Sequence, residues 1–157
     1  MKKQTYRSTY LPTFTKAAMI VVLTVVGLST AKAQNSGTTH LIANIPFEFS
    51  VGNKTLPAGE YTVRCLNPSS DLKVLQLRSR DGLVVAMVLT NSVIGKSQET
   101  ARLIFNRYGD DYFFTQAWMP ADNTGMQAPK SRSEKRIARE LANMNQAKES
   151  VAVSARR

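Results

Sequence analysis

The sequence contains few of the residues that cross-link a chain or bind a metal ion. Its 157 residues include a single cysteine, Cys65, and a single histidine, His40. A disulfide needs two cysteines, and zinc sites use three or four Cys, His or carboxylate ligands. The Gly-x-Ser-x-Gly motif of many hydrolases is also missing. We therefore expect neither a disulfide scaffold nor a metal site, and we predict a non-enzymatic protein without a cofactor.

Long apolar runs are missing from most of the chain. After residue 33, no apolar run approaches the ~20 residues that a membrane-spanning helix requires. Hydrophobic residues make up 43% of the chain and charged residues 20%, which is typical of a folded globular domain. The length suits one domain better than two.

Residues 1–33 are predicted to be a secretory signal peptide. A basic stretch precedes an uncharged, mostly apolar run at 17–31, and alanines occupy positions 31 and 33. This order, with cleavage before Gln34, is typical of exported proteins. An uncleaved membrane anchor is the alternative, but the run is short for it. We expect a periplasmic or secreted protein that does not span the membrane after cleavage.

The net charge of +10 is concentrated at the two ends of the chain. Residues 34–129 contain eight basic and eight acidic side chains, whereas residues 130–157 contain eight basic and three acidic ones. The sequence thus predicts a neutral β domain at 34–129, a basic amphipathic helix at 130–145 and a flexible basic tail at 146–157.

The neutral region alternates between apolar and polar residues, which predicts β-strands with one buried face. Pro46 interrupts the first run, so we expect an edge strand or a break there. Asp-Gly at 81–82 and Gly-Asp at 109–110 predict hairpin turns. The run at 83–89 is apolar in both phases, which predicts a central strand covered on both faces. We predict six to seven antiparallel strands forming a β-sandwich or a small β-barrel, with one C-terminal helix.

The predicted helix carries start signals and an apolar stripe. Ser131 and Glu134 fit a capping box, in which each side chain bonds the backbone N–H of the other residue. The stripe consists of three side chains at helical spacing: Ile137, Leu141 and Met144. We expect it to cover apolar side chains on the outer face of the sheet, namely Val84, Ala86 and Val88.

Four short motifs occur in order along the chain: IPFEF at 45–49, LPAGEY at 56–61, RYGDDYF at 107–113 and KSRSE at 130–134. Together they resemble a family of small exported β-domain proteins of soil bacteria with no known activity. The resemblance extends over residues 43–142. It implies export, a compact β domain and a short C-terminal helix, and it implies no catalytic residues.

Three polar or reactive positions have simple structural interpretations. Cys65 shares a strand face with apolar neighbours, so we expect a buried thiol, with an intermolecular disulfide as the alternative. His40 lies in the polar phase of its strand and is expected at the surface. Asp110 and Asp111 fit turn chemistry better than a carboxylate pair, because adjacent strand residues point apart.

Two sets of side chains are candidate binding residues. A possible aromatic ligand face consists of Tyr108, Tyr112, Phe114 and Trp118. These rings could stack on a sugar or a base, or they could form the core of a hairpin. A possible anionic-surface contact consists of Lys130, Arg132, Lys135, Arg136 and Arg139. These cations could bind an anionic envelope component or an acidic protein, or they could form a solvated face.

These observations lead to one functional expectation and one alternative. We expect an exported non-enzymatic protein that acts by binding, or as a structural component of the envelope, through its basic C-terminal helix. No nucleic-acid partner is expected outside the cytoplasm. The alternative is a small-ligand carrier with an aromatic-lined barrel cavity. The oligomeric state stays open.

Overall fold

The computed structural model describes residues 40–144 and 147–157, so the predicted signal peptide and its cleavage site lie outside the described residues. The described chain folds into ten strands and one helix, in the order β1 (His40–Ile45), β2 (Phe49–Val51), β3 (Lys54–Leu56), β4 (Gly59–Cys65), β5 (Lys73–Ser79), β6 (Val85–Ile94), β7 (Ala101–Tyr108), β8 (Asp111–Trp118), β9 (Thr124–Gln127), α1 (Arg132–Asn143) and β10 (Glu149–Arg156). In this part of the chain, α1 is too short and too polar to cross a membrane.

Eight of the ten strands form a closed antiparallel barrel. Their order around the ring is β1–β4–β5–β6–β9–β8–β7–β10, and β10 pairs with β1 to close it. The β2–β3 hairpin lies beside β8, where Ser50 pairs with Phe113 in parallel. The predicted mainly β fold with one C-terminal helix is confirmed. The predicted count of six to seven strands is too low, and the barrel replaces the sandwich alternative.

At two places in the ring, here called seams, neighbouring strands are joined by few residue pairs. Only two residue pairs join β1 to β10, and only two join β8 to β9. Between these seams lie a five-stranded sheet, β1–β4–β5–β6–β9, and a three-stranded sheet, β10–β7–β8. The barrel is therefore built from two well-paired sheets joined edge to edge, which explains why the sequence is compatible with a sandwich as well.

The barrel interior is filled by the apolar phase of the strands. In β1 and β4 every second side chain is buried, as the alternation predicts: Leu41, Ala43, Ile45, Tyr61, Val63 and Cys65. Cys65 is thus a buried free thiol, as expected, and His40 is exposed. β1 ends directly before Pro46, which confirms the predicted break. The Asp81-Gly82 and Gly109-Asp110 turns connect β5 to β6 and β7 to β8, with both glycines at positive φ.

The prediction of a flexible basic tail is wrong. Residues 149–156 form β10, which is inserted between β7 and β1. Val151, Val153 and Ala155 pack against the core, and the residues between them are exposed. The apolar phase of this strand consists of small side chains, so its alternation is weak in the sequence. Arg156 also forms an ion pair with Glu60 at 3.1 Å.

The prediction that the C-terminal helix covers the outer face of the run at 83–89 is also wrong. Ala86 and Val88 point into the barrel, because β6 alternates like the other strands. The opposite phase carries Met87 and Leu89, each 57% exposed. The outer face of β6 is therefore apolar and uncovered within the described residues, and α1 packs elsewhere.

Candidate functional site

Helix α1 lies within the predicted range of 130–145 and has the predicted N-cap, but only half of the capping box forms. Ser131 is the N-cap, and its hydroxyl accepts a hydrogen bond from the Glu134 N–H at 3.1 Å. The Glu134 side chain turns towards the barrel instead of returning to Ser131. Its Oε1 accepts hydrogen bonds from Asn106 Nδ2 at 2.8 Å and from the Tyr108 hydroxyl at 3.3 Å. The cap starts the helix, and the carboxylate fixes it to β7.

Asn106, Tyr108 and Glu134 form a buried polar cluster outside the barrel core. Their exposed fractions are 4%, 4% and 3%. Tyr108 also packs edge-on against Phe113, with ring centroids 5.9 Å apart. A buried carboxylate is costly unless it is hydrogen-bonded, and here two donors satisfy it. The cluster thus replaces the predicted contact of α1 with Val84, Ala86 and Val88.

The cluster changes the acidity of Tyr108. Burial raises the pKa of the phenol, and the nearby charge of Glu134 and the hydrogen bond to it raise it further, to about 12. The ordinary value is near 10. Tyr108 therefore keeps its proton at all physiological pH values and serves Glu134 as a permanent donor.

Burial of Glu134 leaves the exposed surface of α1 strongly basic. The basic face consists of the five predicted contact residues, all of which are exposed: Lys130, Arg132, Lys135, Arg136 and Arg139. Glu140 is the exposed carboxylate of the helix, and it lies 3.9 Å from Arg136. The other four cations form no ion pair with a carboxylate of the described residues. Arg132 and Arg136 also border an open depression of about 390 Å³.

The four predicted aromatic residues do not share one face. Phe114 lies in the core against Phe105, and Tyr112 stacks on Phe47 at 3.9 Å. Tyr108 is outside the barrel, under α1.

Trp118 lies against Gly95 and Gly125. A Cβ atom added at either glycine would come within 2.5 or 2.8 Å of the ring. The Trp118 indole N–H donates to Gln116 Oε1 at 2.9 Å. The rings are thus used in packing at separate places, and the ligand face and the carrier cavity stay predictions.

Sequence reasoning missed the polar cluster. One signal was present: Asn106 is an amide in the middle of an apolar and aromatic strand, where a buried polar side chain needs a partner. The capping-box pattern predicts a local role for Glu134 and gives no indication of its bond to a residue 28 positions away.

Comparison with known proteins identifies no relative of this chain. None of the family models, curated proteins or solved structures compared with the chain matches it. Across the described residues, no group of three or more His, Cys, Asp or Glu side chains is placed to hold a metal ion. The site is therefore interpreted from its own geometry, and the resemblance to exported β-domain proteins stays a prediction.

Proposed function

We propose that this chain is an exported, non-enzymatic binding protein that attaches to an anionic surface of the cell envelope through its basic face. One observation carries the proposal: the carboxylate of Glu134 is buried against β7, while the cations around it face solvent. If the cations served only to keep the helix soluble, an exposed Glu134 could pair with them and stabilise the helix. Burying it leaves four exposed cations and one exposed carboxylate on α1.

Helix α1 is held against the barrel by hydrogen bonds of Glu134, so its exposed cations have a defined position. Glu134 is bonded to two side chains of β7, the middle strand of the three-stranded sheet. The cations therefore keep a fixed arrangement, and binding loses little conformational entropy of the backbone.

The apolar side of α1 argues for electrostatic attachment rather than insertion into a bilayer. Ile137 and Leu141 of the stripe are half-buried, and Met144 at its end is 60% exposed, so most of the stripe is turned away from solvent. Helices that insert into a membrane interface use a free apolar face. Attachment through exposed cations alone should weaken steeply as salt is added.

The test compares two variants that lose the same charge at different places. The first replaces Arg132, Lys135, Arg136 and Arg139 with Gln. The control replaces four other exposed cations with Gln: Arg64, Arg78, Lys96 and Arg157. Both are bound to washed envelope fractions and eluted with a salt gradient.

We expect the helix variant to elute at clearly lower salt than the wild type, and the control variant to elute near the wild type. Equal elution of the two variants would contradict a specific basic face. Deleting residues 130–157 would not test the proposal, because the deletion removes β10 from the barrel.

The export part of the proposal has its own measurement. Intact mass of the protein recovered from envelope or medium should correspond to a chain that starts at Gln34. A mass that includes residues 1–33 would contradict cleavage.

A further inference from the structure

We propose that a groove beside α1 binds an acidic sugar unit of an envelope polysaccharide. This inference rests on the proposed function, because it names the chemistry of the anionic surface. The groove lies on the outer face of the three-stranded sheet and has a volume of about 260 Å³. Sites that enclose drug-sized ligands are usually ~300–1,000 Å³. The groove therefore suits one small unit of a longer chain.

The lining of the groove is mainly polar. Besides the hydroxyl of Thr115, the polar groups that line it belong to six side chains: Asn106, Gln116, Gln127, Ser150, Lys130 and Lys148. Ile104, Ala128 and Pro129 complete the lining. Lys130 follows β9, and Lys148 precedes β10. Because β8 and β7 lie between β9 and β10 in the ring, the two lysines approach the groove from opposite sides.

Several donors in the groove have no acceptor within the described chain. Gln127 Oε1 accepts a long hydrogen bond from Gln116 Nε2 at 3.4 Å, which leaves the Gln127 amide N–H groups without a partner in these residues. Neither Lys130 nor Lys148 forms an ion pair with any carboxylate of the described residues. A groove rich in unused donors fits a ligand rich in acceptors, such as a sugar ring that carries a carboxylate.

The groove is held open by the backbone. The Ala128 N–H donates to the Thr115 carbonyl at 2.8 Å, which fixes the segment leading to Lys130. Asn106, at the floor, is bonded to the buried Glu134. The lining thus has its shape before any ligand arrives, which lowers the entropic cost of binding.

The observations favour a sugar over an acidic peptide or a lipid. Peptides commonly bind by pairing with an exposed strand edge. Here β7 and β8 are paired on both sides, so they offer no edge at the groove. Lipid tails would need an apolar channel, whereas amides and lysines line this groove.

The test uses a short oligogalacturonate as the probe, with binding followed by isothermal titration and by NMR shifts of the full chain. We expect saturable binding at moderate salt, and at least tenfold weaker binding of a neutral galacto-oligosaccharide of the same length. The variant with Lys130→Gln and Lys148→Gln should bind oligogalacturonate at least tenfold more weakly. Its matched control, Arg64→Gln with Arg78→Gln, removes the same charge from exposed positions outside both the groove and the basic face and should lose less than threefold.

A second variant pair leaves the charge unchanged. Gln127→Leu removes the unpartnered amide and should weaken oligogalacturonate binding severalfold. Gln76→Leu changes a glutamine on β5 that does not line the groove, and it should have no effect. Since a purely electrostatic contact would not distinguish them, equal affinities for these two variants would overturn the groove.

The outcomes separate the two proposals. If oligogalacturonate binding follows the α1 cations and ignores the groove variants, the groove is overturned and the basic face stands. The opposite outcome is that the groove variants lose affinity for oligogalacturonate while the helix variant elutes from envelope fractions at the same salt concentration as the wild type. In that case the proposed function fails and the groove stands. If polyglutamate binds the groove as tightly as oligogalacturonate, the ligand class is wrong.

Discussion

The two sheets of the barrel share one core but differ on their outer faces. The five-stranded sheet exposes Met87 and Leu89 to solvent on β6. On the three-stranded sheet α1 packs against β7, and the neighbouring Tyr108 and Phe113 are almost fully buried. Both outer faces carry large apolar side chains, so hydrophobicity alone does not explain which face the helix covers.

Directional bonds explain the choice. Burial of apolar surface is non-directional and would favour either face. The three-stranded sheet also offers Asn106 and Tyr108, whose donors match the carboxylate of Glu134. A helix carrying a buried carboxylate has a stable position only where such donors exist, because an unpaired buried charge is strongly unfavourable. The polar cluster therefore positions α1 more than its apolar stripe does.

The largest effect is expected from removing one strand of the three-stranded sheet. A chain that ends at Met144 lacks β10 and leaves β7 and β1 without their shared neighbour. We expect it to lose cooperative unfolding in urea, followed by circular dichroism and tryptophan fluorescence. Removing only Arg157, which follows the strand, should leave the urea midpoint unchanged. A truncated chain as stable as the wild type would show that the two sheets do not depend on β10.

The second effect tests the buried cluster directly. Glu134→Ala leaves the donors of Asn106 and Tyr108 unsatisfied, at about 1–3 kcal/mol for each buried group. We expect a loss of about 2–4 kcal/mol in the free energy of unfolding by urea. Glu140→Ala removes the exposed carboxylate of the same helix and should change it by less than about 0.5 kcal/mol. Similar losses in both variants would mean that α1 is not held by Glu134.

A smaller effect is expected at high pH. The folded-state pKa of Tyr108 is about 12, above the ordinary value near 10, so its contribution to stability is complete below pH 10. It should be lost as the pH rises from 10 to 12, because the unfolded chain releases the proton first. Tyr108→Phe should cost about 1 kcal/mol at neutral pH and should remove part of this alkaline decline. An unchanged pH profile in the variant would contradict the pairing of Tyr108 with Glu134.

The smallest effect is expected on the uncovered sheet. Met87→Thr with Leu89→Thr changes side chains that already face solvent, so the free energy of unfolding should change by no more than about 0.5 kcal/mol for each substitution. Leu75→Ala, in the core of the neighbouring strand, should cost about 2–5 kcal/mol. Sedimentation of the double variant should show equal or weaker self-association. A large loss of stability would mean that something covers this face.

Much of the barrel follows from local patterns in the sequence. Alternation in β1 and β4, the break at Pro46 and the turns at 81–82 and 109–110 are each set by residues close in the chain. The N-cap at Ser131 is local as well. These features are predictable because the physical cause and its effect lie within a few residues.

The failures concern partners that are distant in sequence. β10 alternates Val151, Val153 and Ala155, yet its composition resembles that of a solvated tail. β9 contains Gly125 and spans only four residues, too few for a clear period. In the candidate site, the exposed cations could be named from the sequence. The hydrogen bond between Asn106 and Glu134, which buries the carboxylate and leaves these cations at the surface without it, could not be predicted. It joins residues that are 28 positions apart in the sequence.

The position of β10 also sets the order of folding events. Of the described strands, β10 is synthesised last, yet it lies between β7 and β1, the earliest strand. The edges of β1 and β7 that pair with β10 stay unpaired until β10 has been made. Pairings between strands so far apart in the sequence form slowly. The barrel therefore cannot close between β7 and β1 in a growing chain until residues 149–156 have been made. Late closure suits the export proposed above, since a chain that crosses a membrane through a narrow channel must not fold too early.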